Sequence, residues 1–337
     1  MVPEFPPYLM KRRRFIQTTV TAALAASALQ IRLAQAAAPT PRYRLALGQW
    51  TFHRAIRGEP GFAKRDGLEF ARLAGELGFE GLDYSGILLG ENHADPKYLA
   101  ELNRRAADAG VRNLIILVDL NVPLGALDET ARQKAVDKFL PWLDAAATLG
   151  CTGIRVNARG EAALPAAEQS RLVADGVARL LQVSVPLNLD VLIENHGEGL
   201  ACDGEWIASV VKRVNHARCG TLPDFGNFQK NRSTGEFHDR YTGVAAMLPF
   251  AKCVCAKTHD FDAKGDECYT DYARMLGLVA AAGYRGWIEV EYEGPGGPPR
   301  TPSPARPPGS PLGEREGALA TKRLLQKHLG PALQMRP

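Results

Sequence analysis

The sequence lacks the short motifs that mark several large classes of enzyme. It has neither a G-x-G-x-x-G nor a G-x-x-x-x-G-K-[ST] loop, the two glycine-rich signatures of phosphate binding in nucleotide-binding sheets. It also has no G-x-S-x-G turn, which carries the serine nucleophile of α/β hydrolases. These absences argue against a doubly wound nucleotide-binding sheet and against a serine hydrolase.

The body of the chain has no excess of charge of either sign. The first 38 residues hold five of the 41 Lys and Arg and one of the 37 Asp and Glu, which leaves 36 of each sign in residues 39–337. A protein that binds nucleic acid needs a basic surface to neutralise phosphates. We therefore expect no nucleic-acid partner.

The cysteines show no C-x-x-C pair. In a chain of 337 residues, six cysteines need not form the disulfide framework of a small secreted domain. We expect all six to be buried free thiols: Cys151, Cys202, Cys219, Cys253, Cys255 and Cys268.

The amino-terminal segment is basic and then moderately apolar. Residues 11–14 read KRRR, an alanine-rich run follows, and Ala-Gln-Ala at 34–36 is a small-x-small cleavage motif. Arg12 and Arg13, placed shortly before Phe15, resemble a twin-arginine export signal. Arg32 keeps the apolar run below the roughly 20 residues that span a membrane, although a transmembrane anchor is the alternative. We predict a signal peptide over 1–38 and a periplasmic mature protein without stable membrane insertion.

Short β-like runs alternate with longer helical patterns throughout residues 39–337. The helical patterns have apolar residues at three- and four-residue spacing, and several end at a glycine, as at Gly78, Gly150 and Gly283. Eight such units predict an α/β fold of one domain, a (β/α)8 TIM barrel, with an open doubly wound sheet as the alternative. The predicted strands are 43–50, 78–84, 111–119, 151–158, 190–195, 219–225, 251–259 and 286–293.

Residues 294–313 interrupt this pattern. The segment has eight prolines and five glycines in twenty positions, which is too few hydrogen-bond donors and apolar groups for a packed element. We expect an exposed, mobile loop between the last strand and the last helix. It either shields the barrel mouth or is a tolerated surface insertion.

Four residues of metal-ligand type follow or end the last four predicted strands. TIM barrels place their chemistry at the carboxyl ends of the strands, where Glu194, Asp224, His259 and Glu291 would meet. Three carboxylates close together repel one another unless a cation neutralises them. Oxygen donors with one imidazole suit Mn²⁺ or Mg²⁺, so we predict one such ion. For any single residue, a purely structural role such as helix capping is the alternative.

Six segments carry a resemblance to a known family. They are LGQWTFHRAI, IRVNARG, VLIENHGEG, GTLPDFGNF, AKTHDFD and GWIEVEYEG. They resemble the sugar phosphate isomerase/epimerase family of xylose-isomerase-like TIM barrels, and the resemblance covers about residues 43–330 apart from the proline-rich segment. In that family the last four strands give Glu, Asp, His and Glu to one divalent metal, matching Glu194, Asp224, His259 and Glu291. Glu289 and Glu293 are the competing choices on the last strand.

The resemblance implies proton abstraction next to a carbonyl of a small carbohydrate. The metal would stabilise an enediolate, with Glu194 and Glu291 as base and acid. Ketose 3-epimerases of this superfamily carry a histidine and an arginine where this chain has Asn227 and Gly265, so that substrate clamp is absent. The alternatives are a lyase or dehydratase on a keto-sugar or keto-glycoside, and a non-catalytic carbohydrate-binding barrel. A homo-oligomer stays an open alternative.

Further side chains share these strand ends. Lys257 lies two residues before His259 and so points to the same side, where it could hold a substrate oxygen, act as an acid, or form a salt bridge. His196 follows Glu194 by two and is either a substrate contact or part of a loop hydrogen bond. The remaining predicted substrate-binding residues, with filling of the barrel as their alternative role, are Arg155, Asn157, Trp50 and Gln49.

Overall fold

The computed structural model describes residues 43–296 and 309–333, which form an eight-stranded parallel barrel with helices outside it. Each predicted strand is present, and the (β/α)8 prediction is confirmed. The strands are β1 (Tyr43–Gly48), β2 (Gly81–Ser85), β3 (Arg112–Leu117), β4 (Gly153–Asn157), β5 (Asp190–Glu194), β6 (Cys219–Leu222), the hairpin strands β7 (Gln229–Asn231) and β8 (Glu236–Phe237), β9 (Val254–Thr258) and β10 (Gly286–Tyr292).

The barrel closes through two backbone bridges. Hydrogen-bonded neighbours run in the order β6-β5-β4-β3-β2-β1-β10-β9. The bridges Thr221–Ala251 and Asp224–Cys255 then join the β6 edge to the β9 edge. Because all eight strands are parallel, their carboxyl ends lie at one mouth of the barrel.

Two apolar layers hold the barrel together. Alternate residues of each strand point outward against the helices, as Leu47, Tyr84 and Val156 do, and all three are buried. The other residues point inward, where a separate cluster fills the barrel below its mouth. That inner cluster consists of Ala46, Leu114, Ile115, Leu117, Leu192, Leu222, Cys253 and Cys255.

The helices follow the apolar spacing of the sequence. Their bounds are α1 (His53–Arg57), α2 (Phe70–Glu76), α3 (Gly86–Leu89), α4 (Pro96–Asp108), α5 (Glu129–Asp137), α6 (Leu140–Thr148), α7 (Ala166–Ser184), α8 (Gly204–Val214), α9 (Arg240–Met247), α10 (Tyr272–Ala281) and α11 (Glu314–Leu329). The predicted helix stops at Gly78, Gly150 and Gly283 are confirmed by φ values of 71°, 69° and 70°, which only glycine adopts without strain.

One continuous helical pattern in the sequence is two helices in the structure. Residues 128–150 form α5, which Asp128 caps by accepting from the Ala131 N–H, and then α6, whose first turn contains Pro141. Proline has no N–H to continue the helix from the preceding turn, so it is placed at the start of a new one.

The hairpin of β7 and β8 was not expected from the sequence. It lies in the connection between β6 and α9, and Gln229 in its first strand lines the mouth of the barrel. Its residues are mostly polar and do not alternate with apolar ones, so the period of two that reveals a strand is missing. The connection nevertheless supplies part of the wall of the mouth.

Some predictions fall outside the described residues. They are the signal peptide at 1–38 and the part of the predicted loop that spans residues 297–308. Within residues 43–296 and 309–333, no helix is long and apolar enough to cross a membrane. All six cysteines are described, and each is a buried thiol outside any disulfide, as predicted.

Candidate active site

A cavity of about 430 Å³ opens at the carboxyl ends of the barrel strands. Three of the four predicted metal ligands line it: Glu194 at the end of β5, His259 directly after β9, and Glu291 in β10. The fourth, Asp224, follows β6 by two residues and is completely buried beneath the floor. The structure therefore brings these four residues to one end of the barrel.

Glu194 is held by one ion pair and one hydrogen bond. Its Oε2 lies 2.7 Å from Arg155 Nε, and its Oε1 accepts from Asn227 Nδ2 at 3.3 Å. Burial raises the pKa of Glu194 to about 8, with the charges of Asp224 and Glu291 adding to the rise against the lowering effect of Arg155. A carboxyl with such a pKa can exchange a proton near neutral pH.

Asp224 is fixed by its neighbours on one side only. Its Oδ1 accepts from the backbone N–H groups of Gly226 and Asn227, each at 2.7 Å. Asn195 braces its backbone, accepting from the Asp224 N–H at 2.8 Å and donating to the Asp224 carbonyl at 2.9 Å. Among the described residues, Oδ2 has no hydrogen-bond donor. One oxygen is thus positioned and the other is free to bind a cation.

His259 presents a similarly unused atom. The ring is 5% exposed, hydrogen-bonds to the backbone of Gly294 and packs perpendicular to the Tyr269 ring, with ring centres 5.9 Å apart. Its Nε2 is buried and finds no partner anywhere in the described chain. Burial lowers the pKa of His259 to about 4, so the imidazole is neutral at pH 7, as a metal ligand must be.

Lys257 places its positive charge among three carboxylates at this end of the barrel. Its ammonium lies 2.6 Å from Glu291 Oε1, 3.1 Å from Glu293 Oε2 and 3.7 Å from Asp224 Oδ2. Burial raises the pKa of Glu291 to about 7 even though Lys257 lowers it. Lys257 thus forms the salt bridge that was one alternative for it, and it also lines the cavity.

Cys255 lies on the same inner face of β9, two residues before Lys257. Its Sγ is 3.8 Å from Glu291 Oε2. One atom from each of Asp224, Cys255 and Glu291 lies within 4.8 Å of the others, a grouping that does not include Glu194 or His259. Among the described residues, this is the one group of three candidate ligand atoms that lie so close together.

The residues fit a divalent cation. Buried atoms at Asp224 Oδ2 and His259 Nε2 have no hydrogen-bond partner within the described ranges, and Glu194 Oε2 contacts Arg155 outside hydrogen-bonding geometry. Orphaned buried polar atoms of this kind are costly unless something binds them. The donor set of carboxylates and imidazole is one that divalent ions accept.

Arg155 and Asn157 lie on the wall beside Glu194. Arg155 Nη1 donates to Asp119 Oδ1 at 2.6 Å, and Asn157 Nδ2 donates to the same oxygen at 3.2 Å. Burial raises the pKa of Asp119, but Arg155 outweighs it and holds the value at about 2. Arg155 and Asp119 line the cavity, whereas Asn157 lies behind them.

His196 also lines the cavity. Burial lowers the pKa of His196 to about 3, and nearby Arg155 lowers it further, so the ring is neutral. Its Nδ1 is buried without a hydrogen-bond partner among the described residues. Asn227, which stands where ketose 3-epimerases have histidine, also lines the cavity and donates to Glu194.

Trp50 and Gln49 have different positions although they are adjacent. Trp50 lines the cavity, stacks on His53 with ring centres 4.4 Å apart, and donates its Nε1–H to Glu293 Oε1 at 3.1 Å. Gln49 is buried, and its Oε1 accepts from the Ser85 N–H at 3.1 Å. Gln49 does not line the cavity and instead ties the end of β1 to the end of β2.

A second pair of carboxyl groups is buried one layer below the mouth. Asp83 on β2 and Glu289 on β10 are both completely buried, and none of their four carboxyl oxygens has a hydrogen-bond partner among the described residues. Burial raises the pKa of Asp83 to about 8 and that of Glu289 well above its usual value. Gly48 makes room for them, because a Cβ there would lie 2.3 Å from Glu289 Oε1.

Three residues of the site were not predicted: Asp119, Cys255 and Glu293. Each had a signal in the sequence. Asp119 is the last residue of a predicted strand, Cys255 precedes Lys257 by two, and Glu293 follows Glu291 by two. Glu293, one of the competing choices on the last strand, contacts both Lys257 and Trp50 in the structure.

The comparison with protein families agrees with this architecture. The model of the xylose isomerase-like TIM barrel family matches residues 71–313, most of the chain. A comparison with curated protein sequences finds no significant match.

Solved structures share the fold at low sequence identity. D-psicose 3-epimerase from Clostridium cellulolyticum H10, crystallised with D-tagatose, is 11% identical, with a TM-score of 0.61 over 85% of this chain and 99% of that chain. The IolI protein with a bound zinc atom is 15% identical, with a TM-score of 0.59 over 85% of this chain and 99% of that chain. The E. coli 3-keto-D-glucoside 4-epimerase is 16% identical, with a TM-score of 0.56 over 84% of this chain and 98% of that chain. These similarities establish a common fold.

Proposed function

Since the chain belongs to the xylose isomerase-like TIM barrel family, we propose that it is a divalent-metal-dependent carbohydrate isomerase or epimerase. The observation that carries the proposal is a pair of buried carboxyls, Glu194 and Glu291, on two strands around one cavity. Beside them lie the unpartnered atoms of Asp224 and His259 within the described residues. Two structural neighbours are named for the epimerisation of a ketose and of a keto-glucoside, which supports a carbohydrate substrate.

Glu194, Asp224, His259 and Glu291 would hold the ion. When bound, it would supply the positive charge that stabilises the negative oxygen formed as a proton leaves the carbon next to a carbonyl. The oxygen and nitrogen donors of these four residues favour Mn²⁺ or Mg²⁺.

The two glutamates are the proposed base and acid. Glu194 lies at the end of β5 and Glu291 on β10, with β6 and β9 between them, so their carboxyls enter the cavity from different directions. Burial raises the pKa of the two carboxyls to about 8 and about 7 in the metal-free protein, and a bound cation would lower both values, so that each glutamate could act as a base. One glutamate would remove the proton, and the other would return one to the neighbouring carbon or to the opposite face.

Other cavity residues would bind the sugar. The ammonium of Lys257 and the neutral ring of His196 can hydrogen-bond to hydroxyl or carbonyl oxygens, and the Trp50 ring can pack on a sugar face. Arg155 keeps Glu194 in place. Asn157 and Gln49 would act through Asp119 and Ser85 rather than by direct contact.

A lyase or dehydratase is the second candidate, and Lys257 favours it. Elimination needs a proton donor for the leaving group one carbon beyond the site of proton abstraction. The Lys257 ammonium, 2.6 Å from Glu291, is placed to be that donor. A keto-sugar or keto-glycoside would be the substrate.

We also propose that the protein is exported with residues 1–38 as a twin-arginine signal. Sugars outside the cytoplasm are mostly unphosphorylated, so the proposed substrate is a free keto-sugar or a glycoside. Fractionation of expressing cells and amino-terminal sequencing of the periplasmic form would test this. Replacement of Arg12 and Arg13 by lysine should abolish export, and unchanged export would contradict it.

Deuterium incorporation tests the chemistry. The metal-stripped protein, reloaded with Mn²⁺, would be incubated with ketoses, aldoses and 3-keto-glycosides in D2O, and carbon-bound protons followed by NMR. We expect metal-dependent exchange that Glu194→Gln or Glu291→Gln reduces at least 100-fold, while Glu91→Gln, at an exposed site, leaves it unchanged. The products distinguish isomerase from lyase. Sugar binding that survives both glutamine substitutions, without any exchange, would instead indicate a carbohydrate-binding barrel.

A further inference from the structure

Cys255 is the one thiol that lies among the candidate ligand atoms in the described chain. Its Sγ, one oxygen of Asp224 and one of Glu291 are all within 4.8 Å of one another. A divalent ion holds oxygen at about 2.1 Å and sulfur at about 2.3 Å, so donors on one ion lie within about 4.4 Å. Small side-chain rotations would bring all three onto a single ion.

The backbone fixes this sulfur in place. The Cys255 N–H donates to the Pro223 carbonyl at 2.9 Å, and the Phe225 N–H donates to the Cys255 carbonyl at 3.1 Å. These two bonds close the barrel on either side of Asp224, so the positions of Asp224 and Cys255 are set by the same strand pairing. The thiol is completely buried and points into the barrel, where it belongs to the inner cluster.

A second observation points to a ligand between these residues. Asp224 Oδ2 is fully buried and has no hydrogen-bond donor among the described residues, and the nearest cation is Lys257 Nζ at 3.7 Å. Lys257 also contacts Glu293 at 3.1 Å. Its long side chain can keep that contact when an ion takes its place beside Asp224 and Glu291.

We propose that the sulfur of Cys255 is a ligand of the divalent ion, together with Asp224 and Glu291. The inference deepens the proposed function, on whose metal site it rests, and changes the preferred ion. Carboxylates and water suit Mn²⁺ and Mg²⁺, whereas a thiolate favours Zn²⁺ or Co²⁺. As the bond from sulfur to the metal forms, the S–H bond breaks and its proton is released to solvent.

Cobalt gives a direct readout. Metal-stripped protein would be titrated with Co²⁺, and the near-ultraviolet sulfur-to-cobalt charge-transfer band and the visible d–d bands recorded. We expect the charge-transfer band to saturate at one equivalent, to be lost in Cys255→Ala, and to persist in Cys253→Ala. Cys253 is the matched control because it is a buried thiol on the same inner face, two residues earlier, whose Sγ contacts the Trp287 carbonyl.

Affinity gives a second readout. The preference for Zn²⁺ over Mn²⁺, as a ratio of dissociation constants, should fall at least tenfold in Cys255→Ala and stay unchanged in Cys253→Ala. If Cys255→Ala does not fold, X-ray absorption of the zinc-loaded wild-type protein decides the matter, with a sulfur neighbour at about 2.3 Å expected.

The outcomes separate this inference from the proposed function. The role of Cys255 would be overturned if one equivalent of Co²⁺ bound with only d–d bands, or if the charge-transfer band were unchanged in Cys255→Ala. Either result would leave the proposed chemistry standing. A sulfur-to-cobalt band without any deuterium exchange would support the ligand and refute the proposed chemistry. No metal bound under any condition would refute both.

Discussion

Arg155 joins the carboxylates of Asp119 and Glu194, which end or follow two different strands. Its Nη1 lies 2.6 Å from Asp119 Oδ1 and its Nε 2.7 Å from Glu194 Oε2, and all of these atoms belong to one wall of the cavity. The guanidinium therefore fixes where the carboxyl of Glu194 lies and lowers its pKa against the effect of burial.

Replacement of Arg155 by Met should impair both stability and exchange. The buried Glu194 and the partly buried Asp119 would lose their cation, which costs about 3–5 kcal/mol of the free energy of unfolding. Urea denaturation and the rate of deuterium exchange per folded molecule would measure the two effects. The control is Arg132→Met, because Arg132 is also buried and paired with Asp175 at 2.7 Å but does not line the cavity. Equal exchange rates in the two variants would contradict a role for Arg155 at the site.

Asn195→Ala should weaken metal binding without unfolding the protein. Its amide donates to the Asp224 and Asn227 carbonyls and accepts from the Asp224 N–H. Loss of an outer residue that orients a ligand typically reduces metal affinity 10–100-fold. Isothermal titration calorimetry with Mn²⁺ would measure the metal affinity of the variant and of the wild type. Asn113→Ala is the control, since Asn113 makes a comparable set of buried amide contacts far from the cavity; a similar loss there would show a global effect.

Lys257→Met should make the protein depend more strongly on metal. Without the ammonium, Asp224, Glu291 and Glu293 repel one another in the metal-free protein, and a divalent ion relieves that repulsion. The rise in thermal midpoint on adding Mn²⁺ should therefore be larger than in the wild type. Lys322→Met, which removes a half-buried lysine bonded to the carbonyls of Leu77 and Gly78, should leave the rise unchanged. An equal rise in Lys257→Met would refute the expectation.

Asp83→Asn should change how stability depends on pH. The pKa of Asp83 is raised from 3.8 to about 8, so the folded protein keeps a proton that the unfolded chain releases above pH 4. This contribution favours folding below pH 4 and is lost as the pH rises toward 8. Asparagine at position 83 does not titrate, so this loss of stability with rising pH should be absent in the variant. Its free energy of unfolding, relative to that of the wild type, should therefore rise by up to about 1.4 kcal/mol per pH unit. Urea denaturation from pH 5 to 8 would measure the difference. A difference independent of pH would contradict the prediction, and Glu91→Gln is the control for the loss of an exposed acid.

The sequence could predict the barrel because each strand is an apolar run bounded by turn residues. Val191–Ile193 followed by Glu194 illustrates this, since the polar residue marks both the end of the strand and the position of the site. The choice of metal ligand on the last strand was less clear from the sequence. Glu289, Glu291 and Glu293 all share the inward phase of an alternating strand, and only their depth in the barrel distinguishes them.

Contacts across the barrel were not predictable in the same way. The pairing of Arg155 with Asp119, and the position of Cys255 against Asp224, depend on how the strands stagger when the barrel closes. A sequence gives the phase of each strand but not this stagger. The hairpin of β7 and β8 is polar and short, with strands of three and two residues, so its sequence has no alternating pattern that could reveal it.

The ends of the proline-rich segment are anchored to adjacent residues. The Gly296 N–H donates to Asp260 Oδ2, and the Gly309 N–H donates to the Phe261 carbonyl. Chain between two points held this close can change in length at little entropic cost. Whatever the length of chain that joins Gly296 to Gly309, for example after insertion of an affinity tag, these two contacts should let the strand ends that carry the site keep their spacing.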